Sequence, residues 1–446
     1  MEAALLNEKN KIGLGVSLSL VIGAIIGSGV FMKPGSVLGY AGSSNMAILA
    51  WVLGGVLTLA AGLTVAEIGS QIPKNGGLPT YLGEIYGGAW GHMAGWMQTT
   101  LYAPATIGAL GLFFSSLLVN FFHLDTSLIK WIGIGTVGFL FIINSLGTKY
   151  GGWIQAATTV GKLIPVGLII VFGFAKGDAN IFNVIVPHTA TGGFGMALVA
   201  TLFAYDGWLA VTAMGGEMKN PSKMLPKALL FGILTVTAAY VFINIALMHV
   251  LPAGKIVELG PNTAATAADM LLGGYGGKVI SIGIIVSIFG CLNGNILTGA
   301  RIPNAMAQRG ELPYSNWIGQ INEKFETPIN ALLLVCGMAT GYMLLANPDK
   351  LTEITVFITF AFYIMTFIGV FIMRKRNKGM QREYSVPLFP VVPIIAIAGA
   401  LVVLGSSIMN DVVSCALSIG VVLTGLPVYA YMKKKHNRET SPKKVA

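Results

Sequence analysis

Two apolar segments of this chain are each interrupted near the middle by glycine and polar residues. The first reads VIGAIIGSGVF around Ser28, and the second reads TLFAYDGWLAV around Asp206. A helix broken at membrane depth exposes backbone groups that must find partners in protein or in a wet cavity. Freed N–H groups at the start of a half-helix suit a carboxylate, and freed carbonyls at the end of a half-helix suit a cation. The two breaks therefore predict a site for a ligand that carries both groups, as a free amino acid does.

Close helix packing is the alternative explanation for the glycines. Small residues let membrane helices approach one another, and Gly27 and Gly29 taken alone need no other role. A second break in another apolar segment is harder to explain by packing. The pair favours a binding site between two broken helices.

The composition identifies the class of protein. Of the 446 residues, 54% are hydrophobic and 10% are charged, and the mean hydropathy is +0.74. A soluble domain has about 25% charged residues. The chain is therefore predicted to be an all-α, polytopic membrane protein.

Apolar runs long enough to cross a bilayer, which needs about 20 residues each, recur through the whole chain. Twelve membrane helices are predicted, at α1 12–38, α2 45–70, α3 88–120, α4 128–147, α5 152–175, α6 194–216, α7 228–251, α8 275–300, α9 329–346, α10 351–373, α11 387–408 and α12 412–432.

The net charge of +10 is explained by topology rather than by a nucleic-acid partner. Of the 28 lysines and arginines, 21 fall on the side that holds both termini, five fall on the other side, and Lys33 and Lys162 fall inside helices. Short cytoplasmic loops are enriched in Lys and Arg. Both termini are therefore predicted to be cytoplasmic, in the cell membrane and with the lipid bilayer as a partner.

The breaks in α1 and α6 are spaced as expected for a repeat of five helices. Because five is odd, the second unit must be inserted the opposite way up, which gives a 5+5 inverted repeat with α1 and α6 unwound at mid-membrane. The predicted organisation is an N-terminal arm 1–11, a first repeat 12–175, a second repeat 194–373, the helices α11 and α12 in 387–432, and a basic tail 433–446.

Catalytic and metal chemistry have little support. The three cysteines, Cys291, Cys336 and Cys415, fall in predicted helices, and the five histidines are scattered. Neither a metal motif nor a disulfide framework results. A membrane enzyme would need a nucleophile near a base, or paired carboxylates and histidines. We expect no enzyme activity, no metal and no cofactor. A channel or membrane sensor would need a continuous polar pore or a signalling domain, and neither is evident.

Six motifs resemble the bacterial members of the L-type amino acid transporter family, which belongs to the amino acid, polyamine and organocation superfamily. They are IIGSGVF, GTKYGGWIQ, GKLIP, FAYDGW, GGEMKNPSKMLPKA and SIFGCLNG, in family order along the chain. The motifs are most similar to those of the serine/threonine and alanine-serine-cysteine exchangers. The resemblance implies sodium-independent exchange of small neutral L-amino acids. The alternative within transport is proton-coupled symport of an amino acid or a polyamine.

Animal relatives in this family pair with a heavy chain through a cysteine between α3 and α4. That loop here, VNFFHLDTS, has no cysteine. No disulfide-linked heavy chain is expected, and the sequence leaves the oligomeric state open.

The resemblance also implies site residues at the two breaks. The substrate carboxylate falls on the N–H groups of Ser28 and Gly29. The substrate amine falls on the carbonyls of Ile25, Phe203 and Asp206. The predicted substrate-binding set consists of the residues at the two breaks, Ile25, Gly27, Ser28, Gly29, Phe203, Ala204, Tyr205 and Asp206.

Three of these positions leave alternatives open. Asp206 departs from the family, where glycine is common, and its carboxylate either finds a partner nearby or binds a proton or ammonium itself. Phe203 resembles the aromatic residue that closes over substrate, or it is an ordinary packing residue. Tyr205 can contact substrate, or it can hydrogen-bond the broken backbone.

Lys162 is a charged residue deep in α5, where insertion costs about 2.5–3.5 kcal/mol. Its ammonium group could take the place of the bridging cation that sodium-coupled relatives use near the α1 break, which predicts sodium independence. It could also carry a proton, or simply pair with a helix-end carbonyl. Glu67 in α2 is predicted to form an interhelical or gate pair. Asn293 in α8 either reaches the site or ties helices together.

Overall fold

The computed structural model describes residues 13–74, 76–147, 163–186, 192–379 and 381–440. These residues are almost entirely helical, and their strand-type pairing is limited to two isolated bridges. Nine helices in this part of the chain are long and apolar enough to cross a membrane: α1 Leu14–Met32, α2 Ser44–Gln71, α3 Gly88–Phe121, α4 Thr126–Ser145, α7 Pro221–Val250, α8 Tyr275–Gln308, α10 Pro348–Arg376, α11 Val391–Asn410 and α12 Val412–Lys435.

Three shorter apolar helices lie at the remaining predicted positions: α5 Leu163–Lys176, α6 Gly193–Ala204 and α9 Ile329–Leu345. The multi-span helical fold is therefore confirmed. Several boundaries differ from the prediction by a few residues, and the starts of α7 and α8 differ more. The α7 helix begins at Pro221 rather than at 228, because proline is tolerated in the first helical turn, where its missing N–H has no intrahelical acceptor. A helix that starts at Thr263 leads directly into α8.

The helix ends define two faces of the bundle. One face holds the junctions α2–α3, α8–α9 and α10–α11, and we call it the basic face because these junctions carry Lys74, Arg309, Lys324, Lys378 and Arg382. The junctions α3–α4, α7–α8 and α9–α10 lie at the other end, which we call the opposite face. Lys33 follows the last turn of α1 at the opposite face, and Glu67 lies in the last turns of α2 at the basic face.

The α1 helix is broken where the sequence predicts. Its first half is Leu14–Ile25 and its second half begins at Gly29. Between them Ile26 turns to an extended conformation with ψ 94° while its N–H still donates to Ile22. The second half continues through Lys33, which keeps helical backbone angles, into the helix Pro34–Ala41.

The α6 helix is also broken at its predicted position. The α-helix Gly193–Ala204 ends there, and a 3-10 helix runs over Trp208–Glu217. Gly207 joins them with φ +108°, a backbone angle that residues with a Cβ rarely adopt. A Cβ at Gly207 would also lie 2.6 Å from the Ala24 carbonyl oxygen of α1. Only glycine fits this turn.

The two broken helices pack against each other at their breaks. A Cβ at Gly29 would lie 2.5 Å from the Cα of Ala204, and a Cβ at Gly27 would lie 3.2 Å from the Cys291 sulfur of α8. The glycines therefore serve close packing and chain interruption together. The two explanations offered for them are compatible.

We predict that Gly29→Ala lowers the thermal stability of the protein, because the new methyl group must displace the backbone at Ala204. Overpacking of this kind costs about 1–3 kcal/mol. Gly23→Ala on the same helix is the matched control, since its Cβ would meet no atom within 4 Å. Melting of detergent-purified protein, followed by size-exclusion chromatography after heating, measures both variants. Equal melting temperatures for them would contradict the prediction.

Candidate functional site

Free backbone donors lie at the start of the second half of α1. The first intrahelical bonds there run from the N–H groups of Phe31 and Met32 to the Ser28 carbonyl, both at 3.0 Å. In the described part of the chain, the N–H groups of Ser28 and Gly29 donate to no backbone oxygen. Both residues are buried. Buried amides at a helix start are suited to an anionic group.

The carbonyls at the ends of the first halves of α1 and α6 have a side-chain partner that was not predicted from the sequence. The Tyr240 hydroxyl of α7 donates to the Ile25 carbonyl at 2.8 Å and lies 3.1 Å from the Ala204 carbonyl. Tyr240 is fully buried. One hydroxyl therefore joins the broken ends of α1 and α6. A carbonyl oxygen has two lone pairs, so each retains one for a ligand ammonium.

The other two predicted amine acceptors lie at the α6 break. The Phe203 carbonyl accepts the Asp206 N–H at 3.2 Å and keeps one lone pair. The Asp206 carbonyl accepts no backbone N–H in the ranges that the structure describes. The structure thus brings the predicted donors and acceptors of the two breaks next to each other.

Tyr205 hydrogen-bonds to α2. Its hydroxyl donates to the Trp51 carbonyl of α2 at 2.9 Å, and its ring lies 5.0 Å from that of Tyr240. The residue is fully buried. Tyr205 therefore bonds to a neighbouring helix and not to the broken backbone.

The Asp206 side chain has a nearby partner, which is one of the two alternatives left open by the sequence. Its Oδ2 accepts a 2.6 Å hydrogen bond from the Tyr102 hydroxyl of α3. Tyr102 ends a π-helical turn, Gln98–Tyr102, and π turns are frequent at functional sites. The Tyr342 hydroxyl donates to the Thr100 carbonyl within that turn at 2.8 Å.

Helices α3 and α8 complete the surroundings of the breaks. The Asp206–Tyr102 bond joins α6 to α3, Gly27 faces Cys291 of α8, and the rings of Phe114 in α3 and Phe289 in α8 lie 5.5 Å apart. A ligand bound at the breaks would have these four helices around it.

Glu67 forms the interhelical pair that its position predicts. It is fully buried and receives two hydrogen bonds from the Arg374 guanidinium of α10, at 2.7 and 2.6 Å, and one from the Val386 N–H at 2.7 Å. These contacts tie α2, α10 and the segment that precedes α11 together at the basic face.

The remaining predicted residues are placed as follows. Asn293 accepts a hydrogen bond from Asn144 of α4 at 3.0 Å, which is the helix-tying alternative. Phe203 is 8% exposed, at the end of the first half of α6. Lys162 lies outside the described residues. Within those residues, no group of three His, Cys, Asp or Glu side chains could hold a metal ion.

Comparisons with known proteins identify the family to which this sequence is similar. A family model described as amino acid permease matches residues 12–426. The serine/threonine exchanger of Bacillus subtilis is 57% identical over 427 residues, which cover 96% of this chain and 98% of the relative. The Asc-type amino acid transporter 1 of Mus musculus is 30% identical over 94% of this chain and 81% of its own. The large neutral amino acids transporter small subunit 2 of Homo sapiens is 31% identical over 94% of this chain and 80% of its own.

We predict that Glu67→Gln strongly destabilises the protein, because Arg374, whose side chain is only 17% exposed, is left without its charged partner. Breaking a buried pair on one side costs about 3–5 kcal/mol, and replacing both members by apolar residues costs much less. Glu67→Leu combined with Arg374→Met should therefore melt at a higher temperature than Glu67→Gln.

Glu84→Gln is the control for that experiment. Glu84 pairs with Lys74 on the same face, but both side chains are largely exposed, and such pairs contribute about 0–1 kcal/mol. If the melting temperatures of Glu67→Gln and Glu84→Gln are the same in detergent, the Glu67–Arg374 pair is not a stabilising contact.

Proposed function

Since this chain belongs to the amino acid permease family, we propose that it is a sodium-independent exchanger of small neutral L-amino acids that works by alternating access. The observation that carries the proposal is the juxtaposition of the two breaks, where free amide donors of α1 lie beside the carbonyls of α1 and α6. Serine, threonine, alanine and cysteine are the first candidate substrates. The 57% identical serine/threonine exchanger, which matches over nearly the whole chain, supports this choice.

In the proposed bound state, the substrate carboxylate accepts the N–H groups of Ser28 and Gly29. Gly27 lets the chain turn there without a side chain in the way. The substrate ammonium donates to the free lone pairs of the carbonyls at the first half-helix ends, Ile25, Phe203 and Asp206. Ala204 and Tyr205 shape the wall between these carbonyls. The substrate side chain then points between α3 and α8.

Exchange requires that the site open to one face at a time. We propose that the Phe203 ring closes over bound substrate from the opposite face, and that the Glu67–Arg374 pair closes the basic face. Asn293 would hold α8 against α4 while α1 and α6 move. An empty carrier reorients slowly in this scheme, so a counter-substrate is needed for each return step.

Lys162 is proposed to replace the coupling cation that related sodium-dependent proteins need. A fixed ammonium beside the α1 break would hold the unwound turn without an ion gradient. This role is the reason for expecting sodium independence.

The basic face is proposed to be cytoplasmic, with both termini on that side of the cell membrane, because lysine and arginine accumulate in cytoplasmic loops. Cys291, Cys336 and Cys415 are all free and buried. None of them is available for a covalent heavy-chain partner, so the protein is proposed to work without one.

The first test is uptake of labelled L-serine by proteoliposomes, with and without internal unlabelled serine, in sodium and in choline. The expected result is uptake that requires internal amino acid, ignores sodium and falls at least tenfold in Lys162→Ala. Uptake into empty vesicles that rises with an inward proton gradient would overturn the exchanger proposal. It would indicate proton-coupled symport and turn attention to the Asp206 carboxylate.

We also predict that Tyr240→Phe slows serine exchange about tenfold or more while the protein still folds. The ring stays packed against Trp51 and Tyr205, but the hydroxyl that joins the carbonyls of Ile25 and Ala204 is lost. An unpaired buried carbonyl costs about 1–3 kcal/mol, which corresponds to this change in rate.

Tyr86→Phe is the matched control for this variant. The Tyr86 hydroxyl also donates to a backbone carbonyl, that of Met365 at 2.7 Å, but it lies in a short helix away from the breaks. Exchange rates for the two variants are compared at equal amounts of reconstituted protein. Equal rates would mean that the Tyr240 hydroxyl has no special role at the breaks.

A further inference from the structure

Lys33 is a buried lysine that the proposed site does not use. It follows Met32 at the end of the second half of α1, and it is only 1% exposed. Its ammonium donates to Asp349 Oδ1 at 2.6 Å and to the Thr352 hydroxyl at 2.7 Å, both on α10. A buried ammonium is costly unless such partners are present. These contacts fix the position of the Lys33 charge.

The same ammonium also faces two aromatic rings. It lies 5.4 Å from the ring centroid of Phe113 in α3 and 5.4 Å from that of Phe203 in α6. Cation–π attraction at this distance contributes about 0.5–1 kcal/mol at an exposed site and more when water is excluded. The Lys33 ammonium therefore contacts α3, α6 and α10 from α1. Its contact on α6 is the Phe203 ring, at the end of the first half of that helix.

The two members of the Lys33–Asp349 ion pair differ in their access to water. The Asp349 side chain is 42% exposed, whereas that of Lys33 is 1% exposed. The Ser36 hydroxyl also donates to Asp349, at 3.1 Å, and one turn further on Tyr40 donates to Glu353 at 2.6 Å. The pair therefore lies at the boundary between the dry interior and the opposite face.

We propose that Lys33 is a positioning residue for amino acid exchange. It holds the Phe203 ring over the breaks while the opposite face is closed, and separation of Lys33 from Asp349 opens that face. This inference rests on the proposed exchanger function.

The geometry explains why this pair can open and close. Lys33 and Phe203 both belong to the broken helices, whereas Asp349 and Phe113 belong to α10 and α3. Movement of α1 and α6 away from α3 and α10 would break the ion pair and the Phe113 contact, but it would leave Lys33 with Phe203. Water that enters through the gap hydrates both charges. The cost of separation is therefore smaller than for a pair that stays dry.

A purely structural role for Lys33 makes a different prediction. A lysine that only fastened the chain before Pro34 would affect exchange equally from both faces when replaced. Replacement of a positioning residue that acts on closure shifts the population toward the state open at the opposite face. The two roles are separated by measurements made from each face.

The variants for the test are Lys33→Met, Lys33→Arg and Asp349→Asn. Lys350→Met is the matched control, because Lys350 is next to Asp349 on α10 and pairs with Asp411 between α11 and α12, where both side chains are partly exposed. Cys291 serves as the reporter, since it is buried beside Gly27 at the α1 break. The background carries Cys336→Ala and Cys415→Ala.

The first readout is the rate at which a membrane-impermeant maleimide labels Cys291 from each face of oriented proteoliposomes. Lys33→Met and Asp349→Asn are expected to raise labelling from the opposite face about tenfold and to leave labelling from the basic face unchanged or lower. The second readout is serine exchange, for which we expect a lower KM at the opposite face together with a lower maximal rate. Lys33→Arg should restore most of the wild-type behaviour, since it keeps the charge.

The proposal would be overturned if the variants changed Cys291 labelling and serine exchange equally from both faces. It would also be overturned if Lys350→Met changed them as much as Lys33→Met does. If Lys33→Met does not fold, Asp349→Asn decides, because it keeps the shape of the side chain and leaves Thr352 as a partner for Lys33. Cys291 labelling does not depend on transport. If the wild-type protein exchanges no serine, the proposed function fails, and the labelling pattern still reports whether Lys33 controls closure.

Discussion

The hydrocarbon interior of a bilayer offers no hydrogen-bond partner to a broken helix, and the organisation around α1 and α6 follows from that constraint. Each break releases backbone groups that protein or ligand must satisfy. The Tyr240 hydroxyl of α7 donates to the Ile25 carbonyl and lies within hydrogen-bond distance of the Ala204 carbonyl. The amides of Ser28 and Gly29 receive no such partner from the described backbone. The donor end of the site is therefore left for a ligand, together with the lone pairs that the carbonyls retain.

Two ion pairs at opposite ends of the bundle differ in their access to water. Glu67 and Arg374 are 0% and 17% exposed, and a second arginine, Arg382, lies within 3.9 Å of the same carboxylate. In the Lys33–Asp349 pair, by contrast, the aspartate side chain is 42% exposed. A desolvated ion pair is costly to separate. Under the proposed cycle, opening the basic face at Glu67–Arg374 therefore costs more free energy than opening the opposite face at Lys33–Asp349. An exchanger with such closures would not be symmetric with respect to its two faces.

The position of the candidate site could be predicted from the sequence because its proposed acceptors and donors belong to the backbone. Backbone groups are present at every residue, so the glycines alone indicate where the helices break, and the family resemblance then implies Ile25, Ser28 and Gly29 at those breaks. Side-chain partners were harder to predict. A tyrosine in the apolar α7 signals a hydroxyl that needs a partner, but it does not identify the two carbonyls that Tyr240 joins. The π-helical turn that brings Tyr102 to Asp206 has no clear sequence signal either.

The sequence by itself determined the membrane class, the twelve apolar helices and the position of both breaks, because hydropathy and glycine content are local properties of the chain. Only the tertiary structure decided which groups meet. Tyr240 bonds to a residue 215 positions away, and Lys33 pairs with one 316 positions away. The α1 sequence alone indicates a lysine inside a helix without indicating its partner. Helix packing decides that partner, since it places α10 and two aromatic rings around one ammonium.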